Sequence, residues 1–150
     1  MKNARLLLLS ALAVLFFVTS CSKTEPEPIM GDQVAGKYTI TAVTSGGIKI
    51  ALPFNNPVTG IELSGKIDVT KIADDKVKAI VSLIDKDKAG KTTTDNLDFG
   101  EVTLKKAASG SEIEGYQNNV KVGTYANNIL TFSAIDPDTK SPISIEAKKN

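Results

Sequence analysis

Apolar residues recur at every second position over most of this chain, and this spacing constrains its fold more than any other feature. In residues 61–70, Ile61, Leu63, Ile67 and Val69 fall on one face, and polar or charged residues fall on the other. A period of two is the repeat of a β-strand whose two faces meet different surroundings. The pattern predicts eight strands, at 36–43, 61–70, 76–85, 97–105, 112–116, 120–125, 129–134 and 143–148.

The segments between these runs predict loops and turns. Residues 44–60, rich in glycine, proline and asparagine, are expected to form a long first loop, and the charged, threonine-rich residues 86–96 a second one. The pairs Asn118-Asn119 and Asn127-Asn128 suit tight hairpin turns. Gly100 sits where the alternation changes phase, so we expect a β-bulge there that restores the inward face.

Eight sequential strands with short connections predict an all-β domain over residues 34–150. The strands have to protect their edges, and closing the sheet into a barrel removes the edges altogether. The predicted fold is therefore an eight-stranded antiparallel up-and-down barrel. A two-sheet β-sandwich built from the same strands is the alternative.

The N-terminus has the three parts of a secretory signal peptide. Lys2 and Arg5 precede thirteen uncharged residues, 6–18, and the small residues Thr19 and Ser20 follow. A membrane-spanning helix needs about 20 apolar residues, and this run is shorter. Residues 1–20 are therefore predicted to be a signal helix that is removed, and residues 21–33 a flexible, proline-containing tether.

The composition of the remaining chain argues against most catalytic chemistry. It contains no histidine, no tryptophan and no arginine, since Arg5 lies in the predicted signal peptide, and its only cysteine is Cys21. The usual proton shuttle at neutral pH, the bidentate anion clamp and the nitrogen and sulfur metal ligands are therefore missing. We expect no catalytic residues, no metal and no cofactor, hence no enzyme. Charges of both signs are interspersed, which argues against nucleic acid as a partner.

Residues 85–90 match only part of the sequence pattern of a calcium-binding loop. Residues 85–90 begin like a calcium-binding loop, but Ala89 and Asn96 stand where ligands would be needed. A solvated hairpin loop is the preferred interpretation.

Large inward side chains of the predicted strands form a candidate ligand pocket. These residues are Tyr38, Ile40, Leu63, Ile67, Val81, Phe99 and Phe132. An eight-stranded barrel is just wide enough for its side chains to fill it, or it can hold one small ligand. The same residues can therefore line a pocket or form a closed core. A second set, on the opposite face, is a candidate docking patch: Ile80, Ile84, Tyr116, Tyr125 and Ile129.

The residues Val18-Thr19-Ser20-Cys21 resemble the lipobox of bacterial lipoproteins. The resemblance implies cleavage between Ser20 and Cys21 and attachment of a diacylglyceryl group and a further acyl chain such as palmitate to Cys21. It also implies a cell-envelope location with the lipid bilayer as partner. Ser22, where an aspartate would favour the inner membrane, implies an outer membrane, on its periplasmic or surface face.

The barrel region also resembles a known family. The opening Gly36-Lys37-Tyr38, the long first loop, the meander of hairpins and the final Ala147-Lys148-Lys149 are similar to the lipocalin-like, calycin-type domains of bacterial lipoproteins. The resemblance implies a non-catalytic module that binds a small apolar or amphipathic ligand. The alternative is a structural or protein-interaction lipoprotein, accessory to a larger envelope complex.

Overall fold

The computed structural model describes residues 27–135 and 141–150. The predicted signal peptide, its cleavage site at Ser20 and Cys21, and the first part of the tether lie outside the described residues. Within the described ranges, no helix is long and apolar enough to cross a membrane.

The described residues form one short helix and ten strands. The helix is α1 (Met30–Val34). The strands are β1 (Gly36–Ser45), β2 (Ile48–Ala51), β3 (Phe54–Asn55), β4 (Glu62–Ala73), β5 (Lys76–Lys86), β6 (Thr92–Lys106), β7 (Ile113–Gln117), β8 (Val120–Ala126), β9 (Ile129–Ile135) and β10 (Pro142–Lys149).

Eight of these strands close into an antiparallel barrel. Strands β4 to β10 pair in sequence order, and β1 pairs with β10 on one edge and with β4 on the other. The β1–β4 contact joins residues 36–39 to residues 66–69. The short strands β2 and β3 extend the sheet above this contact, because β2 pairs with β1 and β3 with β4. The predicted barrel is confirmed, and the sandwich alternative is wrong.

The alternation determines which face of each strand is buried. In β4, Ile67 and Val69 are buried, whereas Lys66 is exposed. In β6 the pairing with β5 shifts where the phase changes, between Asp98 and Gly100. Gly100 has a φ of 68°, and its N–H donates to Asp98 Oδ1 at 2.8 Å. The predicted glycine bulge is confirmed, and it returns Val102 and Leu104 to the interior.

The turns behave as their residues predict. Asn118 and Asn119 have φ angles of 49° and 64°, and Asn127 and Asn128 have 52° and 64°. Two successive positive φ angles are the conformation of a type I′ hairpin turn, which asparagine tolerates better than most residues. Both asparagine pairs join neighbouring strands, β7 to β8 and β8 to β9.

Three sequence predictions about connections and faces are wrong. Residues 44–60 contain β2 and β3, and residues 92–96 belong to β6 because they pair with β5. The threonines of that segment are good strand formers, so the hairpin continues past its apolar part. Tyr125 is not on the outer face with Ile80. Its ring meets that of the buried Tyr38 edge to face at a centroid distance of 6.4 Å.

Helix α1 closes one end of the barrel, which we call the lower end. The β4–β5 turn and the C-terminus lie at this same end. Gly31 N–H donates to Asp74 O at 2.8 Å, and Lys149 Nζ donates to Gln33 O at 2.7 Å. Val34 is buried against the core. Residues 30–33 of the predicted flexible tether are therefore helical, because the barrel end provides an apolar surface that the local sequence does not show.

The hydroxyl of Tyr38 joins the barrel core to this helix. Tyr38 is fully buried, and its hydroxyl donates to Val34 O. Burial raises the pKa of the Tyr38 hydroxyl well above its usual value, with a smaller contribution from Tyr125, so the hydroxyl remains a donor at any physiological pH.

We predict that Tyr38→Phe lowers the free energy of unfolding by about 1 to 3 kcal/mol, because it leaves the Val34 carbonyl without its buried donor. Urea unfolding would measure the change. Tyr125→Phe is the matched control. The Tyr125 hydroxyl donates to the exposed, neutral Asn128 side chain at 3.0 Å, so its loss should cost no more than about 1 kcal/mol. Equal losses in the two variants would contradict the role given to Tyr38.

Candidate functional site

The barrel wall is incomplete at the upper end, opposite helix α1. Strand β6 pairs with β5 from Thr92 onwards, but with β7 only over residues 103–106. Strand β9 pairs with β8 only over residues 129–132. The wall is therefore open where residues 92–102 of β6 have no partner on the β7 side, and where residues 120–122 of β8 and 133–135 of β9 do not pair with each other.

A cleft of about 470 Å³ occupies this gap. Most of its lining is apolar, and the polar residues come from the β7–β8 turn and from the neighbouring strands β8 and β9. The apolar residues are Phe99, Val120, Val122, Phe132, Ile135 and Pro142, and the polar ones are Gln117, Asn118, Lys121 and Ser133. A volume of this size lies in the usual range for small-molecule sites.

Two aromatic rings form the floor of the cleft. Phe99 and Phe132 pack edge to face with their centroids 4.4 Å apart. Phe132 is buried and Phe99 is half-buried. Val120 and Ile135, each 64% exposed, stand at the rim. Apolar side chains this exposed, next to an aromatic floor, are typical of a binding surface.

The structure divides the seven residues predicted to line a pocket. Phe99 and Phe132 lie together in the cleft. Tyr38, Ile40, Ile67 and Val81 are the largest fully buried side chains of the described residues, and Leu63 packs against the same core.

The barrel interior is filled rather than hollow. The cavity between its side chains measures about 20 Å³, room for about one water molecule. The interior is also tightly packed at Gly65. A side chain there would clash, because its Cβ would lie 2.7 Å from Ile40 Cδ1. A role in ligand binding for the five interior residues stays a prediction, and the geometry gives a small molecule more room in the cleft.

Lys121, the charged residue of the cleft, forms an ion pair with the carboxylate of Glu114. Lys121 Nζ donates to Glu114 Oε1 at 2.6 Å, and the Tyr116 hydroxyl donates to Glu114 Oε2 at 2.7 Å. The hydrogen bonds from Lys121 and then Tyr116 lower the pKa of Glu114. The same contact raises the pKa of Lys121, so the ion pair is fully charged at neutral pH.

The remaining polar groups position the wall. Gln117 Nε2 donates to Phe99 O at 2.6 Å, so this amide joins the top of β7 to the bulge of β6. In the segment that imitates a calcium loop, Asp87 Oδ1 accepts from the N–H groups of Ala89 and Lys91. Among residues 27–135 and 141–150, no three acidic, histidine or cysteine side chains converge to hold a metal ion.

The alternation in the sequence does not indicate that Val120, Ile135 and Pro142 border a cleft. One signal was available: the runs at 112–116 and 120–125 are shorter than those at 61–70 and 76–85. Short strands beside long ones leave a gap at one end of a barrel. Which apolar residues border that gap depends on strand register, which the alternation does not contain.

No protein-family model matches the chain, and no curated protein matches it. Among solved structures, it is similar to a chain described as a de novo designed fluorescence-activating β-barrel. The two share 10% sequence identity with a TM-score of 0.39, covering 81% of this chain and 98% of the designed one. The barrel assignment for this protein rests on its own strand pairing.

We predict that Glu114→Gln destabilises the protein at neutral pH but not in acid. The folded-state pKa of Glu114 lies below its unfolded value, so the ion pair stabilises the fold above the unfolded pKa. This contribution is lost as pH falls through the folded pKa. Urea unfolding should therefore show a difference between wild type and variant at pH 7 that vanishes below both pKa values.

The control for this experiment is Glu101→Gln, on the exposed side of β6. The Glu101 carboxylate makes no ion pair in the part of the chain that the structure describes. Its replacement should therefore cost little stability at pH 7, where Glu114→Gln loses an ion pair. A difference for Glu114→Gln that persists in strong acid would show that the variant disturbs packing rather than charge.

Proposed function

We propose that this protein is a non-catalytic binding module, held at the cell envelope by an acylated Cys21, that takes a small apolar or amphipathic molecule in the cleft between β6 and β9. The observation that carries the proposal is the cleft itself: about 470 Å³, lined mainly by apolar side chains, beside an interior cavity of about 20 Å³. Small-molecule sites combine such apolar surface with a few convergent polar groups.

The chemistry of the cleft favours a ligand with an apolar body. The Phe99 and Phe132 rings offer an aromatic floor, and contact with buried apolar surface is worth about 25 cal/mol per Å². The Lys121 ammonium at the side of the cleft favours a neutral or anionic polar end over a cationic one. The described residues that line the cleft offer a metal or a nucleotide no comparable set of partners.

The anchor is supported by the sequence and by the position of the helix. The lipobox-like residues 18–21 precede the barrel, and helix α1 packs at the lower end. The Glu27 carboxylate forms an ion pair with Lys106 near the bottom of β6. The chain thus leaves the barrel at the end opposite the cleft, and a tether to the membrane from that end leaves the cleft accessible.

The alternative function, an accessory in a larger envelope complex, is favoured by a different observation. The upper part of β6 is exposed along its length and is paired on one edge. A small-molecule site needs no such edge.

We predict that Val120→Asp weakens binding of a small amphipathic probe about tenfold or more, because it places a carboxylate on the apolar rim. A dansyl-labelled fatty acid, titrated into the full-length chain and followed by fluorescence, would measure the dissociation constant. Val58→Asp is the matched control, since Val58 is 84% exposed and lies outside the cleft. Equal weakening in both variants, or no binding by the wild type, would reject the cleft as the site.

We predict that Cys21→Ala abolishes incorporation of palmitate, because the thiol is the acceptor of the proposed acyl chains. Metabolic labelling with palmitate, together with mass spectrometry of the N-terminal peptide, would measure it in a bacterial host with lipoprotein processing. Ser22→Ala should retain the label. A wild-type protein that takes up no palmitate would overturn the anchor while leaving the cleft prediction intact.

A further inference from the structure

We propose that residues 92–98 of β6 form an acceptor edge to which an extended segment of another protein adds as a further strand. The occupant we infer is a β-strand with a basic residue at its centre and an apolar residue two positions away. This proposal goes beyond the binding of a small molecule, because it concerns the main chain at the border of the gap.

The edge is long and unpaired. Strand β6 has 15 residues, and β5 pairs with its residues 92–98. On the other side, β7 begins to pair only at Thr103. Within the described ranges, the backbone groups of 92–98 that point away from β5 meet no strand. Proteins usually shorten, bulge or cover such an edge, since it is a template for another chain.

The space beside this edge is open to an added strand. Strand β7 ends at Gln117, whose side chain donates to Phe99 O, so the β7–β8 turn lies below residues 92–98. An extended segment can hydrogen-bond along β6 above this turn. In strand addition, these main-chain bonds supply affinity and the side-chain positions supply specificity.

Two side chains of the edge determine what kind of strand fits. Asp95 and Leu97 lie two residues apart, on the face that carries the buried Val81. Leu97 is 49% exposed, and Asp95 makes no ion pair in the described part of the chain. The neighbouring Asp98 is already paired with Lys78 at 2.7 Å. A cross-strand lysine or arginine opposite Asp95, and an aliphatic residue opposite Leu97, are the favoured pairs.

The same acid disfavours a second copy of this chain as the occupant. Antiparallel self-pairing that matches the whole segment 92–98 to itself places two Asp95 carboxylates opposite each other. Like charges in directly opposed positions are destabilising, and an acid in the middle of an edge strand is a common device against self-association. The charge therefore selects a basic strand from a different protein.

Two synthetic peptides test the proposal on the full-length chain: acetyl-TVTKTVT-amide and acetyl-TVTETVT-amide. Each reads the same in both directions, so when it spans residues 92–98 its central residue lies opposite Asp95 whether the added strand is parallel or antiparallel. We expect the lysine peptide to bind more tightly, by about two- to fivefold, in isothermal titration calorimetry. It should also protect the amides of residues 92–98 from hydrogen exchange.

Variants of the protein separate strand addition from general charge attraction. Asp95→Lys should reverse the preference, so that the glutamate peptide binds more tightly. Asp75→Lys changes the net charge by the same amount but lies in the exposed β4–β5 turn at the lower end of the barrel, and should retain the preference for lysine. Reversal in both variants would show a non-specific charge effect and overturn the proposal.

Three other results would overturn it. The amides of 92–98 could exchange at the same rate with and without the lysine peptide. Protection could be confined to residues around Phe99 and Phe132, which would support the small-molecule cleft alone. The chain without peptide could self-associate with protection of 92–98, which would assign the edge to a second copy. If the dansyl-labelled fatty acid did not bind, by contrast, the proposed small-molecule site would be rejected and the proposed strand addition at residues 92–98 would not be affected.

Discussion

The barrel depends on a short contact between its first strand and β4. Residues 36–39 of β1 pair with residues 66–69 of β4, and this pairing turns a linear meander into a closed wall. The upper half of the same β1 edge pairs with β2, so the sheet opens above the contact. Closure at the lower end, where helix α1 packs, gives a fully buried core around Tyr38, Ile40 and Ile67. At the upper end the strands are free to differ in length.

Unequal strand length links this architecture to function. Strands β4 to β6 extend well past the short β7–β8 hairpin, and the wall between β6 and β9 is incomplete. The interior cannot serve as a large pocket, because an eight-stranded barrel is narrow and its inward side chains are large. The place where two aromatic core residues meet the solvent is the gap in the wall. The proposed binding site therefore lies on the side of the barrel rather than in its lumen.

The gap combines two kinds of surface. Its floor is aromatic and suits the apolar body of a small ligand, while β6 above it is a strand edge that, among the described residues, pairs with no strand on its β7 side. The ion pair of Glu114 with Lys121 and the Gln117 amide fix the short hairpin below. Lys121 and Gln117 therefore line the cleft and hold its wall at the same time.

The sequence by itself determined the strand class, the faces of most strands, the asparagine turns and the bulge at Gly100, because each depends on local spacing or local backbone preference. It also contained the two aromatic residues of the cleft, Phe99 and Phe132, without separating them from Ile67 or Val81. The alternation is identical for a residue that fills a core and one that borders a cleft. Only the tertiary structure decided which strands run short, where the wall is open and that residues 30–34 become helical, since these follow from pairing register and from packing between segments far apart in the chain.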